Sequence, residues 1–138
     1  MRQVSGILSS TVIFVVLIGM GVFLFSQPPE PPAKTHNLSI KKMNKKWRVV
    51  DANDTSRVHI VAHRGDKIVW YAQGSDVYFQ FMDDKIFGGY TRHLKDGQKL
   101  VLNVNKLAKS GENRYAVFCL SDNEFATGGS PPTIIIEP

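Results

Sequence analysis

The sequence predicts an all-β domain, a sandwich of short strands, preceded by a single apolar N-terminal segment. Three observations carry that expectation. Runs of five to seven residues rich in Val, Ile, Phe, Tyr and Trp recur along residues 47–138. Turn residues separate them, among them Asn53-Asp54, Arg64-Gly65-Asp66, Gly74-Ser75-Asp76, Lys95-Asp96-Gly97 and Gly128-Gly129-Ser130. Apolar and polar residues alternate within the runs: Val58, Ile60 and Ala62 share one face, His59, Val61 and His63 the other. Evenly spaced short strands of this kind pack as two sheets.

The elements follow in order. Residues 7–25 read ILSSTVIFVVLIGMGVFLF, uncharged throughout. Nineteen residues at about 1.5 Å rise span the ~30 Å hydrocarbon layer, so this is a single transmembrane helix or a signal peptide. Leu24 and Phe25 crowd the best cleavage position, which favours an uncleaved anchor. The domain is then expected on the periplasmic or extracellular side, in a single-pass membrane protein. Lys34, Lys41, Lys42 and Lys45, within about twenty residues of its other end, press the other way, but a domain translocates largely regardless of its charge.

Residues 26–46 read as a linker, Pro-rich and then basic. SQPPEPPAK favours extended polyproline geometry. Residues 34–48 hold six Lys and Arg and no acid, whereas residues 49–138 hold ten against eleven acids. The net charge of +5 therefore belongs to one short segment. That argues against a nucleic-acid reader, whose basic residues cover a folded face. Lipid headgroups remain open as a contact, and so does a solvated edge strand whose lysines discourage aggregation.

Strands are expected over residues 47–51, 57–63, 67–72, 77–82, 99–103, 114–120 and 133–137, with a short helical turn over 104–109. Trp70, Phe79, Tyr115 and Val117 are the expected core. One cysteine, Cys119, excludes an internal disulfide. It sits between Phe118 and Leu120 and reads as a small buried hydrophobe. No nucleophile elbow, HExxH or phosphate loop occurs, so the chain is not read as an enzyme.

Several of these motifs, in this order, resemble a cupredoxin. They are RGDKIVW, SDVYFQF, LKDGQKLVLNV, RYAVFC and SPPTIIIEP, together covering most of residues 58–138. The ending IIIEP also resembles a small bacterial family named for Asp-Pro and Glu-Pro motifs, although Ala52 follows Asp51 here. The cupredoxin resemblance implies a Greek-key β-sandwich and, in the family, a type 1 copper site of two imidazoles, one thiolate and a weak axial thioether. This sequence departs from that set. Ser75 or Asp76 stands where the first His belongs. Asp122, Asn123, Glu124, Phe125, Thr127 and Ser130 occupy the plausible later ligand positions. Cys119 alone is retained.

Neither a cofactor nor a metal is therefore expected. The reading taken is a membrane-anchored, copper-free, non-catalytic interaction module of the cell envelope, with a possible protein partner there. Asp76, Asp122, Asn123 and Glu124 are its candidate partner-binding rim. The alternative is a copper-handling or electron-transfer protein with an atypical site at Cys119, joined by His93 if its loop folds over that end.

Overall fold

The computed structural model describes residues 26–128 and 131–138. The apolar segment 7–25 lies outside them, and with it the expected transmembrane helix. Among the described residues no helix is long and apolar enough to cross a membrane. Residues 26–34 belong to no strand or helix and are exposed.

Pro31–Pro138 forms one compact unit. Its strands are β1 (Thr35–Met43), β2 (Lys46–Asp51), β3 (His59–Ala62), β4 (Lys67–Gln73), β5 (Val77–Phe81), β6 (Thr91–Leu94), β7 (Lys99–Asn103), β8 (Gly111–Cys119), β9 (Glu124–Phe125) and β10 (Thr133–Ile136). One sheet has the order β2-β1-β4-β7, the other β3-β10-β8-β5-β6 with β9 on β8. The expected all-β sandwich is present. It is mixed: β1 runs parallel to β4, and β10 parallel to β3.

Two expectations are corrected. The linker 26–46 is too long, because β1 and the start of β2 come from it. Leu38 and Ile40 supply β1's inward apolar face, and the strand lies between β2 and β4 rather than at an edge. The turn that closes the β1–β2 hairpin holds Asn44 and Lys45 at φ 50° and 66°, the left-handed pair that matches the twist of the strands. The helical turn at 104–109 is absent. Asn105 instead caps a tight turn, its side chain accepting from Leu107 N at 3.0 Å and its carbonyl from Ala108 N at 3.1 Å.

The inner faces meet around Trp70, which is fully buried. Phe79, Phe87 and Tyr115 approach it edge-on, with ring centroids 5.4, 5.6 and 5.9 Å away. Trp70 Nε1 donates to the Tyr115 hydroxyl at 3.2 Å, so the centre of the core has no unpaired polar atom. Trp70, Phe79, Tyr115 and Val117 are all buried, as expected. Ile86 and Phe87 join them from the β5–β6 connection, which the sequence marked only as a turn.

Candidate functional site

The candidate site is the end of the sandwich that holds Cys119. That residue closes β8 and is fully buried. Register decides what it faces. Val77 of β5 is paired with Cys119 on one side and with Leu94 of β6 on the other. All three are buried members of the core. One residue along, Phe118, Tyr78 and His93 form the adjacent row, also through direct pairing. Successive residues of a strand point to opposite faces. His93 therefore lies on the outer face, its ring tilted against that of Tyr78 with centroids 4.6 Å apart, while Cys119 lies on the inner one. The pairing of His93 with Cys119, kept as the alternative site, is corrected by this parity.

The positions that would carry ligands in a cupredoxin are used to close this end. Ser75 is buried. Its hydroxyl donates to the Asp76 carbonyl at 2.7 Å and accepts from Ser121 N at 3.0 Å. Leu120 N donates to the Asp76 carbonyl at 3.0 Å. The β4–β5 turn is thereby tied to the segment after Cys119. Thr127 forms a parallel bridge with Arg48 beside β2: Val49 N donates to Thr127 O at 2.8 Å and Thr127 N to Trp47 O at 3.0 Å. Gly128 follows so closely that a Cβ there would come within 2.6 Å of Val49 O. Trp47 lies beneath Gly74, whose φ of +101° admits little but glycine and whose added Cβ would sit 3.3 Å from the indole.

The four rim residues do gather near this end, but not as a free acidic surface. Asp122 Oδ2 accepts from Lys42 Nζ and from Trp47 Nε1, both at 2.7 Å. Lys42 first, then Trp47, hold its carboxyl below the usual range. Asp76 Oδ1 accepts from Asp96 N at 2.8 Å. Asn123 takes the left-handed turn position at φ 53°. Glu124 is exposed in β9 opposite Cys119, and its neighbour Phe125 is 64% exposed. The uncommitted part of the rim is thus Asn123 and Glu124, flanked by an aromatic ring.

Burial, reinforced by the charges of Asp122 and Glu124, pushes the Cys119 thiol up from 9.0 to about 12. A neutral thiol is favoured in the fold, so its contribution to stability is present below pH 9.0 and is lost as the pH rises through about 12. Cys119 should resist Ellman's reagent in the native state at pH near 8 and react fully once denaturant is added. Prompt reaction without denaturant would contradict the burial.

A type 1 copper ion needs a thiolate with two imidazoles in its plane. Here the thiol faces apolar side chains and the nearest ionisable neighbours are carboxylates, so the donor set does not fit. Among the described residues no group of three or more His, Cys, Asp or Glu is placed to hold a metal ion.

A second polar cluster escaped the sequence reading. Asp66, from the Arg64-Gly65-Asp66 turn, is buried. Its Oδ1 accepts from Lys34 N at 2.9 Å; its Oδ2 accepts from His63 N at 2.9 Å and lies 2.9 Å from His36 Nε2. His63 Nε2 in turn lies 2.9 Å from Glu137 Oε2. The cluster fastens the start of β1 to the β3–β4 turn and to the residues after β10. Only the turn motif signalled it.

No protein-family model matches the chain, and no curated protein matches it. Solved structures of amicyanin do resemble it. Amicyanin from Paracoccus versutus is 14% identical, with 78% of this chain and 86% of that one covered and a TM-score of 0.44. A reduced amicyanin variant is 12% identical over 78% and 87%, TM-score 0.44. An oxidised variant is 14% identical over 73% and 80%, TM-score 0.42. Nothing about the chemistry of this chain follows from likenesses at that level.

Proposed function

We propose that this chain is a non-catalytic interaction module of the cell envelope, tethered to a membrane by residues 7–25 and built on a cupredoxin-like sandwich that does not use type 1 copper. The observation that carries the metal-free part is strand parity. Cys119 points inward among Val77 and Leu94, and His93 points out. Residues that serve as ligands in the resembled family here serve as braces, Ser75 and Thr127 above all. The uncommitted surface at this end, Asn123, Glu124 and Phe125, is the contact offered to an envelope partner.

The test is copper titration of the purified protein. Added Cu²⁺ should produce no intense visible thiolate-to-copper band, and Cys119→Ser should leave the spectrum unchanged. An intense band abolished by Cys119→Ser would return the protein to electron transfer or copper handling. Tethering is tested separately. The chain should stay with membranes through high-salt and alkaline washes and keep its N-terminal residues in intact-mass measurement, because a span of ~20 apolar residues inserts effectively irreversibly. Release into the wash, or a mass beginning near residue 22 or 27, would refute the anchor.

A further inference from the structure

The basic segment looked separable from the folded domain by sequence alone; the structure places it inside the four-stranded sheet. The core takes Leu38, Ile40, Trp47, Val49, Ile68, Trp70 and Ala72 from that sheet, with Leu100 and Leu102 packed against it. The alternate residues therefore point outward. On this outer face, nearest the hairpin turn, Met43 is paired directly with Lys46 and Lys41 with Arg48; in the next outward row Tyr71 is paired with Lys99. No outward position of the four strands carries a carboxylate. Lys46, Arg48 and Lys99 are exposed and Lys41 is partly so. None of the four belongs to an ion pair among the described residues. Tyr71 and Lys99 share a row with Ser39 and Val50, which are buried at its β1–β2 end, and Val69 is buried in the row beyond.

We propose that this hairpin end of the outer face is a docking surface for the anionic headgroups of a phospholipid bilayer. Three observations point to that occupant. Like charges directly opposite one another, as Lys41 and Arg48 are, destabilise a strand pair; a negatively charged surface relieves the repulsion. Tyr71 and Met43, lying among the cations, supply the partly apolar contact suited to an interface. The tether also has the reach. Residues 26–34 span up to about 28 Å at ~3.1 Å per residue. The nine residues of β1 carry the chain about 26–30 Å from the spacer to the hairpin turn. The hairpin can therefore return to the surface in which the chain is rooted. Each Lys or Arg at such a surface adds attraction that salt screens. The proposal rests on the membrane-tether reading above.

The test is lysine acetylation footprinting of the full chain in lipid nanodiscs, one set of phosphatidylcholine alone and one with phosphatidylglycerol added. Lys41, Lys46 and Lys99 should label at least about fivefold more slowly in the anionic discs at low salt, and the difference should vanish at high salt. Lys85, Lys106 and Lys109, exposed elsewhere, serve as internal controls and should not change. Lys41→Glu with Arg48→Glu should abolish the protection of Lys46 and Lys99. Equal labelling in both discs, or protection shared by the three control lysines, would overturn the proposal. So would stronger protection of the same face by a single-stranded polynucleotide in neutral discs, which would make it a nucleic-acid surface. A chain that does not enter nanodiscs would defeat the tether and not the face; phosphatidylglycerol vesicles added to that soluble chain would then decide by the same footprint.

Discussion

Replacing Trp70 by Ala should destabilise the domain by about 3–5 kcal/mol, read as a fall in the midpoint of urea unfolding. Trp70 is fully buried, and its indole is the point at which Phe79, Phe81, Phe87 and Tyr115 meet. Truncation would leave a cavity walled by aromatic rings that cannot all collapse inward. It would also strand the Tyr115 hydroxyl, whose indole partner lies 3.2 Å away. Burial already holds that phenol far above its usual range in the neutral form, so ionisation offers no escape. Tyr115→Phe should cost less, about 1–3 kcal/mol, because only the indole N–H is left unpaired. A loss below ~1 kcal/mol for Trp70→Ala would show that the two sheets do not close over this residue.

Asp66→Ala should cost about 3 kcal/mol, since three part-buried donors, two from the start of β1 and one from the β3–β4 turn, lose their acceptor together. Burial alone would raise this carboxyl. The hydrogen bonds from His63 N, His36 and Lys34 N outweigh it and hold the group below its ordinary value of 3.8. The sign of the pH dependence follows. A carboxyl whose folded value is depressed adds stability that is fully present above pH 3.8 and disappears as the pH falls through the folded value. Urea midpoints measured down through that range should drop in the wild-type protein and drop less steeply in Asp66→Asn. Identical acid profiles for the two proteins would show that the carboxylate does not fasten β1.

How much of this was legible depended on whether the information was local. β5 declares itself through alternation and β4, β8 and β10 through continuous apolar runs, and seven expected strands are present with small shifts at their ends. β1 did not, because its inward face shows only Leu38 and Ile40 between prolines and lysines. β6 offers only Leu94 inward, and β9 is two residues long. The burial of Cys119 was readable from its apolar neighbours. The exclusion of His93 was not, since it turns on which residue of β6 pairs with Val77. Nor was the engagement of Asp122, whose partners Lys42 and Trp47 are 80 and 75 residues away in sequence. Contacts of that range are fixed by the closed fold and leave no spacing to read.

The position of β10 has a consequence for biosynthesis. Thr133–Ile136 lies between β3 and β8, bonded on both sides. During translation, β3 and β8 emerge with a gap between them that only residues 133–136 can fill. The nascent sheet therefore carries two unsatisfied edges until residues 133–136 have emerged. Closing the sheet then depends on contacts distant in sequence, the kind that forms slowly. A chain cut short before residue 133 would expose those edges to other chains, and aggregation would be its fate.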